Sequence, residues 1–166
     1  GLLTLQVLGR AGAGTIVVSD VMDEKLERAR ALGAEVLVNP GEQSVRDIAL
    51  GNTGGRGAAV VFDCVGTQAS VEDAVGSVRR GGTVTLVGNL EPRLEIPYQY
   101  VVSRQIRLQG SCASSGEYPA CLELMARGDV DLDTLISAVA PLSEGAHWFD
   151  RLYRAEPGLL KVILQP

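Results

Sequence analysis

The sequence has few of the residues on which metal sites and disulfide scaffolds depend. Its three cysteines, Cys64, Cys112 and Cys121, form no Cys-x-x-Cys pair, and His147 is the single histidine. An odd number of scattered thiols suits a reducing compartment better than a secreted scaffold, so we expect a cytoplasmic protein. One histidine with scattered cysteines does not provide the ligand spacing of a zinc site. His147, between Trp148 and Phe149 on a predicted helix, is interpreted as a surface or packing residue.

Basic charge and long apolar runs are also scarce. The 15 Lys and Arg against 20 Asp and Glu leave a net charge of −5, and only 4% of residues are aromatic. This balance argues against nucleic-acid and anionic-membrane surfaces. The longest apolar runs, such as Ala58–Phe62 and Ala138–Leu142, are too short to span a bilayer. The 46% hydrophobic content and the length of 166 residues predict one ordinary globular domain with a sizeable core.

The chain alternates short β-branched runs with amphipathic segments, a pattern typical of βαβ units and a mainly parallel sheet. The predicted strands are Thr15–Ser19, Glu35–Asn39, Ala58–Phe62, Thr83–Val87, Gln105–Gln109, Leu135–Val139 and Leu160–Leu164. Helices are predicted at 2–11, Asp23–Leu32, Ser44–Leu50, Gln68–Arg79, Glu117–Arg127 and Ser143–Tyr153. Residues 89–103 are predicted to form a polar connection. The fold class is therefore α/β.

Asp20 is the residue most informative about function, because it follows a predicted buried strand and lies 19 positions after Gly1. Dinucleotide-binding folds place a carboxylate at about this distance from their glycine cluster, where it accepts both ribose hydroxyls of the adenosine. A carboxylate there repels a 2′-phosphate, which favours NAD over NADP. The alternative is that Asp20 only caps the helix that starts near Asp23. Methyltransferases also place an acid after their second strand, so the spacing alone leaves both interpretations open.

Two further segments lie at predicted strand ends. These are Asp63-Cys64-Val65-Gly66 and Val87-Gly88-Asn89. Ligands of open parallel sheets bind beyond the carboxyl ends of the strands, where glycines let the backbone approach the ligand. The alternative for each glycine is that it serves only a tight turn.

The order and spacing of several motifs resemble the coenzyme-binding half of zinc-dependent medium-chain alcohol and polyol dehydrogenases, the group of sorbitol, threonine and galactitol-phosphate dehydrogenases. The motifs are Gly1-Leu2-Leu3, Val18-Ser19-Asp20 with Lys25, Ala31-Leu32-Gly33-Ala34, Phe62-Asp63-Cys64-Val65-Gly66, Arg80-Gly81-Gly82-Thr83 through Val87-Gly88, and Leu160-Lys161-Val162-Ile163-Leu164. The resemblance implies a doubly wound, Rossmann-like sheet without its first strand. It also implies an NAD-dependent enzyme that oxidises a secondary alcohol or polyol.

The resemblance further implies a role for each matching residue. Gly1 corresponds to the last glycine of the phosphate turn, and Asp20 with Lys25 would hold the adenosine ribose. The remaining assignments are Cys64 and Val65 with Gly66 on the adenine side, Val87, Gly88 and Asn89 on the nicotinamide side, Ser111 and Ala113 at the carboxamide, and Lys161 near a phosphate. Strand 105–109 would pair across a homodimer or tetramer.

The departures from the family are as informative as the matches. The zinc-ligand residues have no counterpart here, so zinc is expected in the intact protein but not on this chain, which we do not expect to be catalytic alone. Because the chain opens at Gly1 without an initiator Met, we interpret it as a fragment. Residues 1–112 are assigned to the NAD-binding domain and 113–166 to a segment that returns to the catalytic domain. Two alternatives stay open: a stand-alone nucleotide-binding module and a zinc-independent quinone reductase relative.

Overall fold

The computed structural model describes residues 1–166, which divide into two compact units, 1–116 and 117–166. The first unit contains α1 (Leu2–Arg10), β1 (Val17–Ser19), α2 (Asp23–Ala31), β2 (Val36–Val38), α3 (Val45–Gly51), β3 (Ala58–Asp63), α4 (Gln68–Ser77), β4 (Val78–Leu86), α5 (Tyr98–Ser103) and β5 (Arg107–Gly110). The second contains α6 (Tyr118–Ala126), β6 (Ile136–Pro141), α7 (Gly145–Tyr153) and β7 (Lys161–Gln165), with short 3₁₀ turns at Asp133–Leu135 and Leu142–Glu144. The predicted alternation of helices and strands is confirmed.

Every strand pair is parallel, as predicted, but the strands form three small sheets rather than one. Strand β1 pairs with β2, β3–β4–β5 form a second sheet, and β6 pairs with β7. Doubly wound sheets place their first strand at the centre, between the second and the fourth. If β1 and β3 are those two strands, the lack of hydrogen bonding between them is the break that a missing first strand predicts.

Two apolar clusters accompany the two sheets of the first unit. Leu5, Ala29 and Ala34 are buried beside β1 and β2, and a second cluster around Val75 and Val84 lies on β4. The two parts meet through helices. Thr4 Oγ1 on α1 lies 3.8 Å from Cys64 Sγ at the end of β3, and α3 packs on α4. Helix α1 therefore bridges the two sheets.

Local capping explains where α4 begins. The Thr67 hydroxyl accepts a hydrogen bond from the Ser70 N–H at 3.3 Å, and the Ser70 hydroxyl accepts one from the Thr67 N–H at 3.0 Å. This reciprocal pair satisfies two amides that have no partner within the helix. As a result α4 starts at Gln68, two residues after Gly66 and close to the end of β3.

Helix α5 differs from the prediction, because Tyr98–Ser103 lies inside the segment expected to be a polar connection. Its Tyr100 and Val101 pack on the cluster around Val84 and Ile106. A helix of six residues carries too little periodic signal to be recognised by pattern, so tertiary packing decides its conformation.

In the second unit, Ser137 links the strands: its hydroxyl donates to Gly158 O at 3.0 Å and accepts from Leu160 N–H at 2.8 Å. Several large apolar side chains of this unit are exposed, including Phe149 at 71% and Tyr153 at 92%. None of the helices combines the length and apolar character needed to cross a lipid bilayer. The units divide four residues after the boundary assigned at residue 112, and the assignment of the second to a catalytic domain stays a prediction.

Candidate functional site

Most of the predicted site residues of the first unit lie directly after the carboxyl ends of its strands. Register places Asp63 of β3 beside Leu86 of β4, and Leu86 beside Gly110 of β5. Cys64, Val87 and Ser111, which follow these three residues, therefore start adjacent connections at the carboxyl ends of the strands. Parallel α/β sheets bind ligands beyond these strand ends.

Asp63 organises two of these connections. Its carboxylate is only 5% exposed and accepts hydrogen bonds from Val65 N–H at 3.1 Å and from Gly66 N–H at 3.1 and 3.3 Å. Its main-chain oxygen accepts from the N–H groups of Val87 and Gly88, both at 2.8 Å. The site prediction did not include Asp63, although an aspartate two and three residues before turn amides is a recognisable signal.

Gly66 and Gly88 bring the two connections into backbone contact. A Cβ at Gly66 would lie 2.5 Å from Asn89 N and Gly88 C, and one at Gly88 would lie 2.2 Å from Val65 C. Gly66 also has a φ of +80°, which side chains disfavour. The two glycines therefore allow a close approach of one backbone to the other, and their predicted approach to a ligand stays a prediction.

The loop after Asn89 is anchored to the start of α4. Glu91 N–H donates to Gly66 O at 2.9 Å. The Gln68 amide donates to Glu95 O at 3.0 Å and accepts from Glu95 N–H at 2.8 Å. The two connections are therefore joined by hydrogen bonds as well as by the contact of their backbones.

Asp20 lies half-buried immediately after β1. Its Oδ1 accepts a hydrogen bond from Met22 N–H at 3.0 Å, and its Oδ2 has no hydrogen-bond partner. Met22 is the N-cap of α2 and no side chain caps that helix, so the capping alternative for Asp20 is wrong. Asp20 instead closes a turn in front of α2 and keeps one carboxylate oxygen available.

Two neighbours complete this part of the site. Lys25 lies in the first turn of α2 and makes no ion pair. Asn39, which the prediction missed, follows β2 and donates from Nδ2 to Asp23 Oδ1 at 2.8 Å. This bond ties the end of β2 to the turn that carries Asp20.

The structure shows fewer contacts between the remaining predicted residues and the rest of the candidate site. Gly1 is exposed and precedes α1, whose Thr4 contacts Cys64. Ser111 N–H donates to Leu86 O at 3.0 Å, and Ala113 is exposed with a left-handed φ of +48°. Lys161 is an exposed residue of β7 in the second unit, so its predicted phosphate contact stays a prediction.

No group of three or more His, Cys, Asp and Glu side chains is arranged to hold a metal ion. His147 is exposed on α7 with its ring 5.7 Å from the Trp148 ring, in an edge-to-face arrangement. The residues of this chain therefore do not fit a zinc ion, whereas the strand ends carry the half-buried carboxylate of Asp20 and two glycine-containing turns.

Comparisons with known proteins agree with this geometry. The family model for zinc-binding dehydrogenases matches residues 1–127. The sorbitol dehydrogenase of Bacillus subtilis is 31% identical over 168 residues, which span 100% of this chain and 47% of that protein. The crystal structure of 2R,3R-butanediol dehydrogenase from Bacillus subtilis matches with a TM-score of 0.89 and 26% identity, covering 99% of this chain and 47% of that one.

A third match contains a nucleotide. A protein of Sinorhizobium meliloti 1021 described as a zinc-binding dehydrogenase was crystallised with NADP, and it matches with a TM-score of 0.87 and 28% identity. The match covers 99% of this chain and 49% of that structure. This chain thus spans about half the length of the proteins it resembles.

Proposed function

Since the chain belongs to the zinc-binding dehydrogenase family and corresponds to its coenzyme-binding half, we propose that it holds NAD for an enzyme that oxidises a secondary alcohol or polyol. The observation that carries the choice of NAD is the free Oδ2 of Asp20 at the end of β1. A carboxylate that accepts two ribose hydroxyls stabilises an unmodified adenosine ribose and repels a 2′-phosphate.

The strand ends supply the other contacts of this proposal. Lys25 adds a cation beside the ribose, and Gly1 places the amino end of α1, with its free N–H groups, at the pyrophosphate. Cys64, Val65 and Gly66 lie on the adenine side, and Val87, Gly88 and Asn89 on the nicotinamide side. Ser111 and Ala113 offer backbone groups to the carboxamide.

This chain contributes binding and orientation rather than bond making. Bound NAD supplies the chemistry of accepting a hydride at its nicotinamide ring. The residues of this chain hold the sugar, the phosphates and the carboxamide so that one face of the ring is presented to the substrate. Since this chain has no cluster of metal ligands, activation of the alcohol falls to residues outside 1–166.

Cofactor choice is open to a direct test, because the related Sinorhizobium meliloti structure contains NADP. In the full-length protein, Asp20→Asn keeps an acceptor for Met22 N–H but removes the charge. Charged hydrogen bonds contribute about 1.5–3 kcal/mol, so we expect the KM for NAD to rise about tenfold or more. The KM for NADP should stay constant or fall.

Asp47→Asn is the matched control, since Asp47 is an exposed aspartate in the first turn of α3. It should leave both KM values unchanged. Equal increases for NAD and NADP in Asp20→Asn would contradict the ribose contact.

We also propose that β5 pairs with a second copy of the chain. It is the last strand of its sheet, hydrogen-bonded only to β4. Exposed edge strands present unpaired N–H and C=O groups that favour pairing with another strand. The exposed apolar side chains of the second unit, Phe149 and Tyr153 among them, would pack against the remainder of the intact protein.

A further inference from the structure

Asp63 is a charged residue at a buried position, at the carboxyl end of β3. Of the polar and charged residues in the chain, only Asp63 and Ser77 are buried. Removing a carboxylate from water costs several kcal/mol unless hydrogen bonds replace its hydration. Here the replacement comes only from the backbone, through the N–H groups of Val65 and Gly66. No ion pair involves Asp63, so within the protein its carboxylate interacts only with the N–H groups of this one turn.

The same residue holds a second segment through its main chain. Its carbonyl oxygen accepts from Val87 N–H and Gly88 N–H at 2.8 Å each. The side chain therefore fixes the turn after β3, and the carbonyl fixes the turn after β4. Because Gly66 and Gly88 touch backbone to backbone, a displacement of either turn is transmitted to the other.

We infer that Asp63 is a positioning residue that sets the spacing between the Cys64–Gly66 turn and the Val87–Asn89 turn. The inference rests on the proposed function, in which these turns contact the adenine half and the nicotinamide half of one dinucleotide. A ligand that spans both turns depends on their spacing, whereas a ligand that occupies only the adenine half does not. Asp63 thus controls affinity for the whole dinucleotide without touching it.

The test compares NAD with AMP as calorimetric ligands of the full-length protein. In Asp63→Asn the side chain keeps one acceptor oxygen, but the NH₂ group that replaces Oδ2 would face Gly66 N–H and could not accept from it. We expect the Kd for NAD to rise about tenfold, which corresponds to loss of one hydrogen bond to a charged group. The Kd for AMP should rise by clearly less than the Kd for NAD, because AMP contacts only the first turn and does not depend on the spacing between the two.

Two variants make the test specific. Asp63→Ser can still accept one turn amide through its hydroxyl and places no NH₂ group against the turn; it should also raise the Kd for NAD more than the Kd for AMP, and it keeps the test valid if Asp63→Asn does not fold. Asp73→Asn is a matched control on α4, outside both turns, and should leave both Kd values unchanged.

Hydrogen-exchange mass spectrometry gives a readout that needs no ligand. In both Asp63 variants, peptides covering 64–66 and 87–89 should exchange faster together, although the altered side chain bonds only to the first turn. Equal weakening of NAD and AMP, no change in either, or faster exchange confined to 64–66 would overturn the inference. If the wild-type protein binds AMP but neither nicotinamide dinucleotide, the proposed function fails, and this inference fails with it.

Discussion

Replacing Gly88 by alanine tests whether the contact between the two turns is a structural constraint. The new Cβ would lie 2.2 Å from Val65 C and 2.3 Å from Val65 N and Gly66 N. Ordinary contact begins near 3.4 Å, so the two backbones would have to separate by about 3.4 − 2.2 = 1.2 Å. All three neighbours are backbone atoms, and no flexible side chain can move aside.

The surrounding bonds resist that separation. Gly88 N–H is bonded to Asp63 O at 2.8 Å, and Glu91 N–H to Gly66 O at 2.9 Å. Overpacking costs about 1–3 kcal/mol, and loss of one backbone hydrogen bond adds about 1 kcal/mol. We therefore expect Gly88→Ala to lower the free energy of unfolding by about 3 kcal/mol.

Urea unfolding of the full-length protein, followed by circular dichroism, measures this difference. The control is Gly51→Ala at the end of α3, where a Cβ would meet no atom within 4 Å. That substitution should change stability by less than about 0.5 kcal/mol, or stabilise the helix. If Gly88→Ala unfolds at the same urea concentration as Gly51→Ala, the two turns do not constrain each other as described.

Two further predictions concern the second unit and the edge of the sheet. Hydrogen bonds from Arg151 to Glu156, at 2.5 and 2.7 Å, lower the pKa of the Glu156 carboxyl group in the folded protein. The pair therefore stabilises the fold above the unfolded-state pKa of about 4.3. This stabilisation is lost as the pH falls through the lower pKa of the folded state. Arg151→Ala should therefore lose more stability near neutral pH than in acid, where only the stacking of Arg151 over the Trp148 ring at 4.3 Å is still missing, and a pH-independent difference in urea unfolding would exclude the ion pair as a contributor. At the end of β5, Ser111 N–H points to β4, so the N–H of the preceding residue, Gly110, faces the open edge of the sheet. Proline at position 110 has no N–H to donate to a second copy. The wild-type protein should therefore sediment as a dimer or larger at micromolar concentration, and Gly110→Pro as a monomer. A monomeric wild type would refute pairing through this edge.

Some of the site could be predicted because parallel strands impose simple geometry. Once Ala58–Phe62 and Thr83–Val87 are recognised as neighbouring parallel strands, their carboxyl ends must lie on the same side of the sheet. Cys64 and Val87 do start adjacent connections there. The capping alternative for Asp20 could already have been rejected from the sequence, because a helix that starts at Asp23, as predicted and observed, has Met22 and not Asp20 as its N-cap. The ribose contact of Asp20 stays a prediction, because spacing alone does not identify a ligand.

The missed residues share a different property. Asp63 and Asn39 act on segments that are distant in sequence: Asp63 on Val87 and Gly88, and Asn39 on Asp23. Neither relation follows from local spacing, since each needs the neighbouring strand to be in place. The contact between Gly66 and Gly88 has the same origin, because each glycine alone is equally consistent with a turn.

Burial separates the site into two parts with different tolerance to change. Asp63, Gly66 and Gly88 form the rigid part, in which buried hydrogen bonds and backbone contact set the spacing of the turns. Asp20 and Lys25 are half-buried, and only one oxygen of Asp20 is used within the protein. Under the proposed function, substitution in the rigid part is expected to change stability and affinity together, and substitution at Asp20 to change the preferred cofactor at little structural cost. A change of cofactor selectivity is therefore expected to arise at position 20 and its turn, with the rigid part retained.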